Sequence, residues 1–418
     1  MKILHINHTD SGGGAARAVY RLHKSLNKMK IRSVMIVNKL NLKEKLIVGE
    51  STLLHRFLVK FRSKLVRLLV RMQITKNPIN HSPSIFSSKL VKKINSSDAD
   101  LVNLHWVQNE TLSISDISKI NKPLIWTLHD MWAFCGAEHL SWDNRWKYGY
   151  FKNNRPKHEF GFDINRWTWQ RKKKYWKDPI QIIAPSNWIG AHVKNSSLMS
   201  SWPMEVIHNP INTDFWKPSN KMLSRKILGL PKHSLLLLFG AVYGDKDHHK
   251  GFDLLLDALG KLKSNPITKK LELVFFGKYN HKNYEKINFP IHNMGYIKND
   301  KILRALYNAA NGVIIPSRQD NLPNNGLEAH ACGVPIIAFN TGGLADIIEH
   351  NKTGYLAKTF DTKDLAKGIS WVLNKKNKIL LGRNARERAI EKFSQQVVIK
   401  QYQSIYEKVL NKKLKNEI

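Results

Sequence analysis

The sequence predicts an α/β protein of two domains. Three observations carry that expectation. A chain of 418 residues is longer than one ordinary hydrophobic core supports. Short apolar runs with the character of buried strands, such as residues 235–240 and 312–315, alternate with segments of helical period. The strand-like runs lead into glycine- or asparagine-rich loops and then into helix starts, as at Ser11-Gly12-Gly13-Gly14 and at residues 321–326.

Composition narrows the function. Hydrophobic content of 42% is normal for a globular chain. No apolar run is long enough to span a bilayer, and residues 2–7 lack the h-region and cleavage site of a signal peptide. Cys135 and Cys332 stand far apart without metal-ligand spacing, which fits a reducing cytosol. Lysine and arginine number 68 against 32 acids, a net charge of +36. Such a surface wants a polyanion. Zinc-finger spacing, RNP-type aromatic strands and a basic zipper are all missing, so the charge points to an anionic membrane rather than to nucleic acid.

Residues 2–7 form the first strand, and the loop 11–17 (SGGGAAR) opens a helix running to about Met29. Gly12, Gly13 and Gly14 let the backbone approach a phosphate. The loop is not GxGxxG and no acid follows at dinucleotide spacing, which argues against a nicotinamide cofactor. After a strand at 33–37 comes the segment 51–76. There Leu54, Phe57, Leu58, Phe61, Leu65, Leu68, Leu69 and Met72 make an apolar stripe, with Arg56, Lys60, Lys64, Arg67 and Arg71 on the other side and Val59, Val66 and Val70 off it. A basic amphipathic helix of this kind lies in a membrane interface or packs on its own core.

Strands at 101–106 and 124–128 follow. The second delivers His129 and Asp130 at its carboxyl end, where Asp130 can orient the imidazole; His105 is the lesser partner. Residues 133–176 interrupt the rhythm with tryptophans, arginines and lysines, residue types that stack on sugars and hold phosphates. A strand at 180–184 closes this half, and turn-rich residues 200–218 mark the boundary.

The second half opens with the strand 235–240. Lys250-Gly251-Phe252 then places an ammonium and backbone N–H groups at a helix start. Asp245-Lys246-Asp247 and Asp98-Ala99-Asp100 read as D-x-D, a pattern too short to call a metal site. After strands at 271–276 and 312–315 comes the stretch 316–335, PSRQDNLPNNGLEAHACGVP, in which Asp320 and Glu328 flank the Asn321-Leu322-Pro323 loop. It has the order strand, loop, helix start, strand, and loops at the carboxyl ends of strands are where open α/β sheets bind ligands. Thr341-Gly342-Gly343 is a further tight loop.

The stretch 316–335, with GGGAAR at 12–17, T-x-H-D at 127–130 and K-G-F-D at 250–253, resembles the retaining glycosyltransferases of family 4 in a bacterial surface-polysaccharide branch. The resemblance implies the GT-B fold: two Rossmann-like domains facing across a cleft, with a C-terminal helix crossing back to the first. The expected division is an acceptor-side domain at 1–205, a nucleotide-sugar domain at 206–390 and the crossing helix and Lys-rich tail at 391–418. The reaction implied is transfer from a nucleoside diphosphate sugar, without a metal or other cofactor, to a lipid-linked glycan of a capsule, O-antigen or exopolysaccharide pathway at the inner face of the cell membrane.

The resemblance also implies residue roles. Glu328 binds the ribose. Asp320, where the family has Glu, lies by the donor sugar, as does His129. Lys250 stabilises the leaving nucleotide; the family's usual arginine is replaced by Ala241, with Arg318 or His249 standing in. Tyr296 marks the base, and Gly342 and Gly343 the diphosphate. Arg17, Asp130, Trp132, Arg166 and Trp167 are expected on the acceptor side, the insert 133–176 being a lid. With Cys135 its one cysteine, the insert is expected to hold no zinc. A nucleotide-sugar 2-epimerase shares the fold and donor class, a phosphorylase would need a pyridoxal-lysine context that is not found, and a nucleic-acid-binding protein would account for the charge.

Overall fold

The computed structural model describes residues 1–49, 52–241, 247–262, 266–278, 287–374 and 378–417. Two compact units result, Met1–His208 with Ile399–Ile418, and Asn209–Val398. Asp245 and Lys246 of the D-x-D pattern lie outside the described residues.

The first unit is built on a parallel sheet of seven strands. They are β1 (Lys2–Thr9), β2 (Arg32–Lys39), β3 (Ile47–Gly49), β5 (Leu101–Leu104), β6 (Leu124–Thr127), β8 (Gln181–Ala184) and β9 (Met204–Val206), in the order β3-β2-β1-β5-β6-β8-β9. A two-strand ribbon pairs β4 (Gln73–Ile74) with β7 (Phe160–Gly161). Ile3, Ile6, Val102, Leu104, Ile125 and Ile182 are fully buried, as a parallel sheet covered on both faces requires. Helix α1 (Gly14–Lys28) buries Val19, Leu22 and Leu26 on one stripe. The helix Gln395–Glu417 returns to this unit. Its Tyr406 hydroxyl accepts from Asn103 Nδ2 at 3.1 Å, and Tyr402 lies beside Thr127.

Helix α2 (Leu53–Arg71) separates its two kinds of apolar residue. Val59, Ser63, Val66, Leu69 and Val70 are half-buried, and with Arg62, which donates to the Ser87 carbonyl, they make the inward face. Phe57, Phe61, Leu65, Leu68 and Met72 are 38–64% exposed. The valines that blur the stripe in the sequence are thus packing residues together with Leu69 of the stripe, and Phe57, Phe61, Leu65, Leu68 and Met72 point outward. Lys60, Lys64, Arg67 and Arg71 are also exposed and border the stripe rather than opposing it. The side chains of Leu54 and Arg56 lie outside the described residues.

The second unit has six parallel strands: β10 (Leu235–Ala241), β11 (Leu271–Gly277), β12 (Ile291–Asn293), β13 (Gly312–Ile315), β14 (Ile336–Phe339) and β15 (Gly354–Ala357), in the order β12-β11-β10-β13-β14-β15. Chain order reverses at β10. The crevice at the carboxyl ends of β10 and β13 is therefore the switch point of this sheet.

Candidate active site

Three loops meet at the switch point of the six-stranded sheet. After β10, the short 3₁₀ turn His248–Lys250 ends at Gly251, whose φ of +64° is left-handed. After β13 comes the loop carrying Asp320, and after β14 the loop Thr341-Gly342-Gly343. Lys250 Nζ lies 2.8 Å from Asp320 Oδ2, and Ser317 Oγ donates to the same oxygen at 3.0 Å. Burial alone lowers the Lys250 pKa, but Asp320 outweighs it and the net shift is upward.

Two glycines hold these loops in register. A Cβ on Gly251 would stand 2.0 Å from the Pro316 carbonyl oxygen, and one on Gly342, at φ +59°, 2.1 Å from that of Asp320. Gly343 N donates to the Asp320 carbonyl at 2.9 Å, and Thr341 Oγ1 to the Arg318 carbonyl at 2.9 Å. Gly342 and Gly343 were expected at a diphosphate. The Gly343 N–H donates to protein backbone, and the pair buttresses the Asp320 loop.

Other expected donor residues divide between contact and packing. Glu328 is buried in the helix Asn324–Ala331 and accepts from the Tyr307 hydroxyl at 2.8 Å. Arg318 makes a bidentate pair with Asp253, at 2.8 and 2.5 Å, and donates to the His248 carbonyl. His249 is buried, and burial lowers its pKa. The guanidinium of Arg318 is thus paired with Asp253, and burial shifts His249 towards the neutral form. Leu322 and Pro323 are buried, Leu322 in the unit's core and Pro323 at the N-cap of the 324–331 helix, while Asn321 is half-exposed. Tyr296 is exposed, with the Lys278 ammonium 5.7 Å from its ring.

In the first unit, Gly12 adopts φ +90°, Gly13 is an N-cap without a side-chain bond, and Arg17 is half-buried in the first turn of α1. His129 is held by His105, whose Nδ1 lies 3.1 Å from His129 Nε2, and not by Asp130. The Asp130 carboxylate is taken by Trp106 Nε1 (2.7 Å), Gln108 Nε2 (3.2 Å), His139 Nδ1 (2.8 Å) and Trp132 N (3.0 Å). Asp130 is an organiser of its own loop. Burial lowers the His129 pKa to about 4, so the ring is neutral at pH 7.

The insert packs into the core of the first unit, with Ala133, Phe134, Cys135 and Trp176 in one cluster with Leu104, Trp126 and Ile182. Trp132, expected to face an acceptor, is fully buried against Trp126 and Trp176 and donates to the Ser82 carbonyl. The buried Lys172 ammonium donates to the carbonyls of Trp132, Cys135 (3.1 Å) and Gly136 (2.7 Å) and sits 3.9 Å from the Trp132 ring centroid. Burial lowers its pKa to about 7, yet three acceptors use the three N–H bonds that only the ammonium has. Arg145 joins Asp143, Glu159 and Asp163. Trp167 is half-buried between Phe162 and the Arg171 guanidinium, and Arg166 is half-buried with its Nε unpartnered.

Sequence reading missed Tyr307 and the pairing of Asp253 with Arg318, which act across the fold without a local pattern. Gly251 and Gly342 were legible as loop glycines but not as buttresses. His5 left one trace, a histidine inside the apolar strand KILHIN.

Comparison with known proteins agrees with this architecture. Residues 12–215 match the family model "Glycosyltransferase Family 4", and residues 222–395 match "Glycosyl transferases group 1". Among curated relatives, the capsular polysaccharide biosynthesis glycosyltransferase CapM of Staphylococcus aureus is 24% identical over 242 residues, 54% of this chain and 60% of that protein. The N-acetyl-alpha-D-glucosaminyl L-malate synthase of Bacillus anthracis is 39% identical over 85 residues, 20% of this chain and 22% of that one. The chain thus spans less than two thirds of the length of these relatives. The crystal structure of Anabaena HepE with UDP-glucose superposes with a TM-score of 0.65 at 16% identity, covering 98% of this chain and 100% of that one. Sucrose-phosphate synthase from Thermosynechococcus elongatus does so with the same score, identity and coverage. The fold is GT-B, and the family models and relatives support a glycosyltransferase.

Proposed function

We propose that the chain moves a sugar from a nucleoside diphosphate sugar to an acceptor hydroxyl with the anomeric configuration retained. One observation carries the reading: Lys250 and Asp320 meet at the switch point of the six-stranded sheet, on loops locked by Gly251 and Gly342. An ammonium there stabilises the charge that develops on a departing diphosphate without needing a metal. Asp320 takes hydroxyls of the transferred sugar, and Glu328, held by Tyr307, those of the ribose. The bond between the anomeric carbon and the diphosphate oxygen breaks. The acceptor oxygen bonds to the same face of that carbon, and its proton passes to the departing phosphate oxygen. HepE was solved with UDP-glucose, which supports a donor of this class.

The acceptor we assign is a lipid-linked glycan of a surface polysaccharide, reached from the inner face of an anionic membrane. CapM supports the pathway. The outward stripe of α2 supports the location, with Ile74 and Phe160 of the β4–β7 ribbon adding exposed apolar surface. No helix among the described residues is long and apolar enough to cross a membrane, so contact would be interfacial.

A thermal-shift panel of nucleoside diphosphate sugars tests the donor. At least one raises the unfolding midpoint of the wild type and fails to do so with Lys250→Ala. A panel without any shift overturns the reading.

A further inference from the structure

Three histidines from neighbouring strands make one chain of nitrogen-to-nitrogen hydrogen bonds. His5 belongs to β1, His105 follows β5 and His129 follows β6, three strands adjacent in the sheet. Nδ1 of His5 lies 2.9 Å from Nε2 of His105, and Nδ1 of His105 lies 3.1 Å from Nε2 of His129. His5 and His105 are buried, and His129 is half-exposed. At the inner end, Nε2 of His5 is buried without a hydrogen-bond partner.

These contacts restrict where protons sit. A neutral imidazole has one N–H and one lone pair. Burial keeps all three rings neutral at pH 7, lowering the pKa to about 3 for His5, to about 4 for His129 and well below the ordinary value for His105. Each of the two contacts needs one proton, since two lone pairs or two N–H groups facing each other repel. The rings must therefore share one tautomer, all Nδ1–H or all Nε2–H. The second choice buries an unpaired N–H on His5. The first leaves only a lone pair there and puts the third proton on Nδ1 of His129, at the half-exposed end. Buried N–H groups without acceptors are the rarer fault in proteins.

We propose that His5 and His105 are positioning residues that lock His129 in the Nδ1–H tautomer, so that it offers a hydrogen-bond donor to an oxygen of the bound ligand, either a sugar hydroxyl or a phosphate oxygen. The ligand's identity rests on the transferase reading; the tautomer does not.

The test is nitrogen NMR of the full chain labelled with ¹⁵N-histidine at pH 7.5, without sugar nucleotide, the three rings being assigned by the ¹⁵N–¹⁵N couplings across their two hydrogen bonds. Protonated Nδ1 and bare Nε2 in all three rings is the expected spectrum. A protonated Nε2 in any of them overturns the proposal, even if every variant fails to fold. His105→Phe releases His129 Nε2, so His129 should become a mixture of tautomers; an unchanged His129 pattern in the folded variant also overturns it. Once a donor sugar is known, His129→Asn, which retains an N–H donor, should keep at least tenfold more turnover than His129→Ala. Equal losses would remove the ligand contact while leaving the transferase reading intact.

Discussion

The ammonium of Lys250 and the carboxylate of Asp320, 70 residues apart in the chain, form a 2.8 Å ion pair at the crevice between β10 and β13. Each restrains the other. The carboxylate more than offsets the cost that burial puts on the lysine's charge, and the carboxylate is aimed by the lysine and Ser317. A diphosphate arriving at this pair gains a cation that is already oriented, which is the economy of electrostatic preorganisation.

Removing either partner should therefore damage turnover, by different routes. Lys250→Ala is expected to lower kcat about a hundredfold or more, roughly 3 kcal/mol of transition-state stabilisation. Asp320→Asn removes the sugar contact and the charged partner of Lys250 while keeping the side chain's shape, so its kcat should fall with little change in donor affinity. Steady-state kinetics with the donor found by the thermal-shift panel checks both. Wild-type kcat in the two variants would place the chemistry elsewhere.

The glycine buttresses yield a comparison with a built-in control. Gly251, Gly342 and Gly229 all have left-handed φ, but a Cβ on Gly229 meets nothing within 4 Å. Gly229→Ala should cost about 1 kcal/mol of stability, the penalty for a side chain in that conformation. Gly342→Ala and Gly251→Ala must in addition displace the backbone of Asp320 or Pro316. They are expected to lose donor binding and activity well beyond that stability cost, read by urea unfolding and donor titration on the same samples. Equal effects at all three positions would show that backbone strain alone matters.

Lys172 stands where the insert's loop turns three carbonyls inward. Lys172→Met keeps the apolar stem and deletes the donors, leaving buried acceptors unsatisfied at roughly 1–3 kcal/mol each before relaxation. We expect the thermal midpoint to fall by ten degrees or more, with donor-induced stabilisation of the folded variant preserved, because Lys250 lies in the other unit. A midpoint within a degree or two of wild type would show that water replaces the ammonium.

For α2, the structure separates docking from folding. Lys60, Lys64, Arg67 and Arg71 are exposed, and the inward face is made by other residues. Changing all four to Glu should leave the unfolding free energy nearly unchanged, since exposed substitutions typically move it by no more than about 0.5 kcal/mol each. The same variant should lose sedimentation with vesicles rich in anionic lipid, each basic residue contributing on the order of 1 kcal/mol at such a surface. Phe57→Ser with Phe61→Ser should weaken the part of the binding that resists salt. Retained vesicle binding in the quadruple Glu variant would exclude the electrostatic docking.

By itself the sequence determined the α/β class and the central strands of both sheets with the loops that follow them, though not the short strands β3, β9, β12 and β15. These follow from local facts, apolar runs of strand length and glycines and prolines that end elements, while Lys250, Asp320, Glu328 and His129 were picked out by resemblance to a family. Tertiary structure decided which of those residues touch. Asp130 lies next to His129 in sequence, yet backbone direction turns it to Trp106 and His139, and His105 from the neighbouring strand takes its place. Arg318 was legible as a free cation until Asp253, 65 residues away, proved to hold it. The stripe of α2 was visible, but not its direction, because helical periodicity reports that two apolar faces exist and not which one a sheet will cover. Burial and pairing are settled by strands adjacent in space but distant in the chain, and single-chain periodicity has no term for that neighbourhood.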